Sequence, residues 1–324
     1  MKTYFNSSDY LPLSKLIITL LVCILSVGFF IKNASAALEA SFLYHLSDFS
    51  GPIPYNWANI QVDSERNEVY VIDSTGSDIT VYNDKGMEVY RFNENLKLRK
   101  AYDLAVKEDG NIFLVSLTGH KVSTFVCDFR GKIISELEFT NLPPEFSGFA
   151  PNRIAYRNGL LYGLNIFSGR IVVADENGIF RSGYDLYSLL EIEEEEILNT
   201  RISGFNVDYE GNMLFTIPVL FRAFRLSLDG KLKGFGRPGG SPGGFNIVAG
   251  IAADARGFYY VSDRLKSAVI IFDRNLRFVK EFGYRGSRPE NLIGPNDLEI
   301  DAEGRLYVSQ LRSRGISVFK ITYD

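Results

Sequence analysis

Carboxylate, amide and guanidinium side chains recur along the chain at the starts of apolar, strand-like segments. They are Asn59, Asp103, Arg153, Asn206, Asp297 and Glu299. Carboxylate and amide oxygens are the ligands of hard cations. Arg153 offers another interpretation, because a guanidinium neutralises a neighbouring carboxylate without any metal. These residues lie far apart in the sequence, so only a fold that gathers the segments can turn them into a site.

The stretch 248–283 indicates which elements position these residues. Aromatic and β-branched residues alternate in four short runs, at 251–253, 259–261, 268–272 and 278–282. Turns interrupt the runs at Gly257 and Asn275. Alternation with period two between turn residues predicts a meander of antiparallel strands. One meander cannot bury both of its faces, so it needs copies of itself on either side.

Turn glycines locate those copies. The first turn of each copy falls at Arg66, Gly110, Gly159, Gly211, Gly257 and Gly304. The second falls at Gly86, Gly131, Gly178, Gly230 and Asn275. Successive first-turn glycines lie 46 to 52 residues apart. Four strands in a repeat of about 40–50 residues are typical of a propeller blade.

The number of copies predicts an all-β fold, a six-bladed β-propeller of four-stranded antiparallel blades. The blades begin near Trp57, Ala101, Pro151, Ile202, Val248 and Pro295. The last copy reaches Asp324 before any fourth strand, and residues 41–46 have the alternation to supply it. We therefore expect one domain over residues 37–324, closed by an N-terminal strand, because closure removes the exposed sheet edges.

Residues 1–36 are expected to be a separate N-terminal apolar helix. Lys2 and Lys15 precede an apolar run at 16–31, and Ala34-Ser35-Ala36 follows it. This order predicts a secretory signal cut after Ala36. An uncleaved membrane anchor is the alternative, although the run is shorter than the usual span of about 20 residues. Both interpretations place the rest of the chain outside the cytoplasm, as a periplasmic, secreted or membrane-anchored protein.

The charge of the exported part argues against nucleic-acid binding. Without residues 1–36, 32 Lys and Arg stand against 38 Asp and Glu, and such a mildly acidic surface repels a phosphate backbone. Cys127 is the only thiol left, so no disulfide forms within this part, and its strand pattern predicts a small buried side chain.

Two segments of the fifth and sixth copies resemble the NHL repeat. In the fifth, residues 235–245 (FGRPGGSPGGF) precede GIAAD at 250–254 and YVSD at 260–263. In the sixth, Phe282-Gly283 and Pro295 precede LEID at 298–301 and GRLYVS at 304–309. The resemblance extends to the first and fourth copies and is faint in the second and third. It implies a six-bladed NHL-type β-propeller.

In that architecture the polar residues named first face the central channel. Equivalent positions at the channel mouth hold Asn59, Asp103, Arg153, Gly204, Gly250 and Asp297, and Gln61, Asn206 and Glu299 lie two residues further on. Six-bladed lactonases and esterases of similar architecture hold calcium in the channel, which would assign Asp103, Asp297 and Glu299 as ligands. We expect instead a solvated polar channel, without a cofactor, in which Arg153 pairs with an aspartate, and the calcium site is the alternative.

No catalytic constellation accompanies this ring of residues. We therefore expect a non-catalytic, monomeric platform that binds a protein partner in the cell envelope, and a calcium-dependent lactonase or esterase is the alternative. Contact with the membrane is expected only through residues 16–31, if they are uncleaved. An insertion at 185–200 predicts a short amphipathic helix capped by Asp185, with a solvated run of glutamates or a docking feature for a basic partner.

Overall fold

The computed structural model describes residues 38–48, 51–53, 57–73, 78–92, 100–311 and 314–323. Residues 39–322 form one compact unit, and Leu38 and Tyr323 are the described residues of a second. In this part of the chain, no helix is long and apolar enough to span a membrane. The predicted signal or anchor at 1–36 lies outside the described residues.

Three strands precede the first blade: β1 (Leu38–His45) and the short antiparallel pair β2 (Ser47–Asp48) and β3 (Gly51–Pro52). Blade 1 contains β4 (Asn59–Asp63), β5 (Glu68–Ile72), β6 (Ile79–Asn83) and β7 (Glu88–Phe92). Blade 2 contains β8 (Lys100–Val106), β9 (Ile112–Thr118), β10 (Lys121–Cys127) and β11 (Ile133–Leu137). Blade 3 contains β12 (Arg153–Arg157), β13 (Leu160–Asn165), β14 (Arg170–Asp175) and β15 (Phe180–Asp185).

The second half of the ring repeats this order. Blade 4 contains β16 (Phe205–Val207), β17 (Met213–Ile217), β18 (Arg222–Leu226) and β19 (Leu232–Phe235). A short parallel pair follows, β20 (Arg237–Pro238) and β21 (Gly244–Phe245). Blade 5 contains β22 (Val248–Ala253), β23 (Tyr259–Asp263), β24 (Ala268–Phe272) and β25 (Phe278–Gly283). Blade 6 contains β26 (Leu298–Ile300), β27 (Arg305–Ser309) and β28 (Ile316–Tyr323).

The fourth strand of blade 6 is β1, since the order of this sheet is β1-β28-β27-β26. The other five blades are consecutive four-stranded antiparallel sheets. Each innermost strand contacts the next, and β26 contacts β4. The predicted fold class, an all-β six-bladed propeller, is therefore confirmed. The N-terminal strand begins at Leu38, a little before the expected 41–46 segment, and Leu46 follows it with its N–H donated to the Ile316 carbonyl at 3.0 Å.

Glycines with positive φ end most of the predicted turns, but two positions shift by one residue. In blade 1 the left-handed residue is Asn67, with φ 54°, and not Arg66. In blade 5 it is Leu276, with φ 64°, and not Asn275. An aspartate orders such turns: Oδ1 of Asp254 accepts the backbone N–H of Arg256 and of Phe258, each at 2.9 Å. Asn is the non-glycine residue that tolerates this conformation best, and Leu is unusual there.

The core lies between the blades. Tyr260 and Tyr307 are fully buried at equivalent positions of blades 5 and 6. Their hydroxyls donate to Oδ2 of Asp254 at 2.8 Å and of Asp301 at 3.1 Å, which satisfies the buried phenols. The innermost strands contribute an apolar layer, which is buried at Ile60, Leu104, Ile154, Ile251 and Leu298. Phe205 is the exception, because it is only partly buried.

The insertion between blades 3 and 4 contains one short helix, α1 (Leu186–Leu189), and a 3₁₀ turn at Glu194–Glu196. Asp185 caps α1 as predicted, accepting the Ser188 N–H at 3.1 Å. Further 3₁₀ turns occupy Pro144–Phe146 and Pro218–Leu220.

The strand order defines two ends of the ring. Innermost strands begin at one end, where the connections between blades and the turns from second to third strand also lie. We call this end the entry face. The opposite end carries the turns from first to second and from third to fourth strand, and we call it the turn face.

Candidate functional site

The six innermost strands surround a cavity of about 690 Å³ that runs along the propeller channel. All six residues predicted at the site, Asn59, Asp103, Arg153, Asn206, Asp297 and Glu299, line this cavity. Aromatic side chains border it as well, among them Trp57 and Tyr209. The repeat phase read from the sequence therefore gathers the predicted residues correctly.

Three of these residues form hydrogen bonds between neighbouring blades. Asn59 donates its amide to the Tyr102 carbonyl at 2.7 Å, from blade 1 to blade 2. Oδ2 of Asp103 accepts the Ile154 N–H of blade 3 at 2.9 Å, and Oδ2 of Asp297 accepts the Ile60 N–H of blade 1 at 2.8 Å. These bonds satisfy backbone groups that would otherwise be orphaned at the blade junctions.

Glycines occupy the same ring position in blades 4 and 5 for a steric reason. A Cβ on Gly204 would lie 2.9 Å from the Cα of Gly250, and a Cβ on Gly250 would lie 2.9 Å from the Cα of Asp297. Blades 4, 5 and 6 therefore approach one another too closely for a side chain at position 204 or 250. Here the ring closes by backbone proximity, as in the Gly250 N–H donated to the Asn296 carbonyl at 2.7 Å.

Arg153 does not form the direct ion pair expected from the sequence. Its Nη1 donates to the carbonyls of Tyr102 at 3.3 Å and Asn152 at 3.2 Å. Among the described residues, no carboxylate lies within 4.0 Å of this guanidinium. Its charge nevertheless lowers the pKa of both Asp103 and Asp297, partly offsetting their burial. The Arg153–Asp pair is thus a longer-range electrostatic interaction, because two carbonyl oxygens hold the guanidinium.

One hydrogen bond connects blades that are not neighbours. Asn206 of blade 4 donates its amide to Oε1 of Glu299 in blade 6 at 2.9 Å. The Asn206 side-chain oxygen accepts the Val207 N–H at 2.7 Å, which fixes the orientation of the amide. Blade 5 presents Ala252 at the equivalent position, and this small residue leaves space for the bond. Sequence reasoning placed both residues in one layer but did not predict this contact.

Burial raises the pKa of all three channel carboxyl groups. The pKa of Asp103 rises to about 7 and that of Asp297 to about 6, in both cases mainly because burial disfavours the charged form. Burial also raises the pKa of Glu299 well above its ordinary value, and the nearby charge of Asp297 adds to this. The channel carboxyl groups therefore bind protons at a higher pH than exposed carboxyl groups do.

These carboxyl groups do not converge as a set of metal ligands. Within the described ranges, no three His, Cys, Asp or Glu side chains are placed to hold one metal ion. Asp103 and Asp297 instead direct an oxygen at the backbone of the next blade, and Glu299 turns toward Asn206. Since calcium requires about six to eight oxygen ligands, the arrangement is better suited to joining blades than to holding calcium.

At the entry face, Arg264 of blade 5 lies across the channel mouth. Its guanidinium is 4.6 Å from the ring centroid of Trp57 in blade 1, a cation–π contact. Nη2 donates to the side chains of Asn296 and Ser203, which begin blades 6 and 4. Trp57 is held in turn, because its indole N–H donates to the Gly294 carbonyl at 3.0 Å. Sequence reasoning missed this pair, because the residue types at these two positions do not recur from one copy to the next.

The other end of the cavity is bordered by a second aromatic–cation pair. Arg157, the last residue of β12, lies 4.4 Å from the ring centroid of Tyr209. Its charge lowers the pKa of Glu299, which partly offsets the burial of that carboxyl.

A ring of buried hydroxyls behind the inner strands was also missed. It comprises Ser116, Thr216, Ser262 and Ser309, which lie at equivalent positions in the second strands. Ser262, for example, accepts the Gly250 N–H at 2.8 Å and donates to the Asn296 carbonyl at 2.6 Å. Comparison of the second strands in the sequence, at VSLT, FTIP, VSDR and VSQL, could have found it.

Cys127, His45 and Asp263 are not among the residues that line the channel. Cys127 is buried, and burial raises the pKa of its thiol to about 12, so it behaves as the predicted apolar residue. His45 lies in β1, where burial lowers its pKa and Ser317 lies 3.1 Å from Nδ1. Asp263 accepts the backbone N–H groups of Asn246 and Lys266 at 2.6 and 2.8 Å, as expected for a turn-ordering residue.

Comparison with known proteins shows a propeller fold and no more. No protein-family model matches the chain, and no curated protein matches it. A structural-genomics protein of unknown function from Bacteroides thetaiotaomicron VPI-5482 superposes with a TM-score of 0.62 at 14% identity, covering 88% of this chain and 76% of that one. Virginiamycin B lyase from Staphylococcus aureus superposes with a TM-score of 0.54 at 16% identity, covering 84% of this chain and 83% of that one. The β-propeller domain of Cps50 (Swd1) from Myceliophteria thermophila superposes with a TM-score of 0.55 at 9% identity, covering 88% of this chain and 100% of that domain.

Proposed function

We propose that this chain is an exported, monomeric, non-catalytic propeller of the NHL type that serves as a protein-binding platform in the cell envelope. One observation supports the proposal that the chain is not an enzyme. The channel side chains best suited to chemistry, Asp103, Asp297 and Glu299, each direct one carboxyl oxygen into a hydrogen bond between blades. A hydrolase of the calcium lactonase kind needs those oxygens free for metal and substrate.

The distribution of exposed apolar side chains supports a platform that binds through its entry face. The described residues include 18 exposed large hydrophobic side chains. Half of them lie at the entry face: Trp57, Phe167, Leu189, Leu198, Val219, Phe221, Ile247, Leu265 and Tyr284. The turn face has four, and the rest lie on strands around the outer rim. Exposed apolar side chains concentrated on one face favour a protein interaction site.

The NHL assignment is supported by a hydrogen-bond pattern shared by the two blades whose motifs match best. In GIAAD and LEID the last residue is Asp254 and Asp301, respectively. Each accepts a buried tyrosine hydroxyl, from Tyr260 and Tyr307, and each accepts a backbone N–H of its own turn. The motif residues therefore order each blade's first turn and do not form a ligand site.

The hydrolase alternative is tested by changing Asp297→Asn and Glu299→Gln together. We expect added Ca²⁺ to leave the melting temperature of the wild type and of the double variant unchanged, and neither protein to hydrolyse lactones or aryl esters. A melting temperature that rises steeply with Ca²⁺ in the wild type alone, together with hydrolysis lost in the variant, would contradict the proposed function.

A further inference from the structure

The insertion between blades 3 and 4 is fixed to the propeller on two sides. The Leu186 N–H donates to the Gly169 carbonyl at 2.9 Å, in the turn between β13 and β14. The buried Tyr187 hydroxyl donates to the Thr200 carbonyl at 2.7 Å and lies 3.2 Å from the Ile166 carbonyl, a second acceptor. Residues 185–200 and the turn at 166–169 therefore form one ordered unit on the entry face, which we call the insertion lobe.

The insertion lobe exposes apolar side chains that no described part of the propeller covers. Leu198 is 83% exposed, more than any other large hydrophobic residue in the described ranges, and Phe167 is 63% exposed. Leu189, at the end of α1, is exposed as well. Leu186 and Tyr187 are buried and already hold the lobe to blade 3. The lobe therefore does not need these exposed side chains for its own packing. Their burial against a partner would be favourable, because it removes apolar surface from water.

The insertion lobe also carries carboxylates without an ion-pair partner among the described residues. Glu191 and the four consecutive glutamates at 193–196 are all exposed. Within the described part of the chain, none of the five lies within 4.0 Å of a Lys or Arg nitrogen. Other exposed acids of the propeller do have such partners, for example Asp229 with Lys231 at 2.6 Å. Adjacent like charges repel one another, so the fold gains nothing from this run, and a cationic partner would relieve the repulsion.

We propose that the insertion lobe binds a segment of a partner protein that presents lysine or arginine side chains beside apolar ones. This inference rests on the proposed platform function and adds the place and the chemistry of recognition. Leu198 and Phe167 supply the apolar contact, and the glutamates at 193–196 supply the charge that selects a basic segment. An anionic membrane does not fit this surface, because the carboxylates would repel its headgroups.

A random peptide library displayed on phage and selected against the purified protein tests the proposal. Selected peptides should combine Lys or Arg with Leu, Phe or similar residues. Synthetic copies should bind about tenfold more weakly after Glu193→Gln, Glu194→Gln, Glu195→Gln and Glu196→Gln together, since each exposed ion pair contributes little and four are lost at once. Leu198→Ser should weaken binding to a similar extent. Ile134→Ser is the matched control, because Ile134 is 59% exposed on blade 2, outside the lobe.

Fluorescence anisotropy with the labelled peptides measures these affinities, and raising the salt concentration should reproduce the loss caused by the four glutamine changes. The proposal is overturned if no peptide is selected, if the peptides lack basic residues, or if the lobe variants bind them as the wild type does. In the last case recognition lies elsewhere on the propeller and the platform function stands. A dimer seen by light scattering and dissociated by the glutamine changes would replace the partner with a second copy, and would also overturn the proposal.

Discussion

Asp297 combines two physical effects that a pair of substitutions can separate. Its Oδ2 accepts the Ile60 N–H at 2.8 Å, which joins blade 6 to blade 1. Its burial against the channel raises the pKa of its carboxyl to about 6. Asp297→Asn keeps an oxygen that can accept the Ile60 N–H but removes the charge. Asp297→Ala removes both.

The pKa determines the size and the sign of the expected effect. Raising it from 3.8 to about 6 corresponds to about 3 kcal/mol. Because the carboxyl borders a cavity that can hold water, we expect about 1–2 kcal/mol in practice. Because the pKa is raised in the folded state, protonated Asp297 makes the protein more stable than ionised Asp297 does. This contribution is fully present below about pH 4 and is lost as the pH rises to about 6.

Asp297→Asn should therefore match the wild type near pH 4, gain on it as the pH rises to about 6, and be more stable by about 1–2 kcal/mol at pH 8. Asp297→Ala leaves the Ile60 N–H without its partner, so it should be less stable by about 1–3 kcal/mol at pH 4, where the charge plays no part. Urea unfolding followed by tryptophan fluorescence at pH 4, 5, 6 and 8 measures both differences. If the Asn variant differed from the wild type by the same amount at every pH, the assignment of a buried, protonated carboxyl would be wrong.

Three further outcomes follow from the same structure. Deleting residues 38–48 should expose the edge of β28 and cause aggregation, checked by light scattering, whereas an unchanged monomer would place the closure elsewhere. Gly250→Ala should destabilise the protein by more than 2 kcal/mol, roughly the cost of an overpacked core, in a melting experiment, because the new Cβ meets the backbone of blade 6. Mass spectrometry of native material should find Ala37 as the N-terminus if the signal is cleaved, and peptides from 16–31 in a membrane pellet would favour the anchor.

The sequence predicted the fold because the turns keep their phase. A turn residue at nearly the same place in every copy, such as Gly211 and Gly257, fixes the strand order of each blade, and the strand order fixes which residues face the channel. Asn59, Asp103 and Asp297 could therefore be assigned to one ring without knowledge of a single contact. The shift from Arg66 to Asn67 had no consequence, because a turn one residue longer leaves the strand register intact.

Side-chain partners could not be predicted in the same way. Arg153 was expected to pair with an aspartate, but nearby carbonyl oxygens compete for its guanidinium, and position in a repeat does not reveal that competition. The Asn206–Glu299 bond depends on the absence of a large side chain in blade 5. The contact between Arg264 and Trp57 joins a turn to an inter-blade connection, and the residue types at these two positions do not recur in the other copies. Periodicity thus predicts which residues face the channel but not how their side chains pair.

Site-specific photocrosslinking in the native cell envelope tests the central claim most directly. A benzophenone amino acid would replace Leu265, which is 66% exposed on the entry face, or Leu228, which is 44% exposed on the turn face. The two leucines are matched in type and lie in turns at opposite ends of the ring. A protein-binding platform that uses its entry face predicts a discrete adduct with one protein at position 265 and none at 228. The absence of any adduct at 265, or the same adducts at both positions, would contradict it.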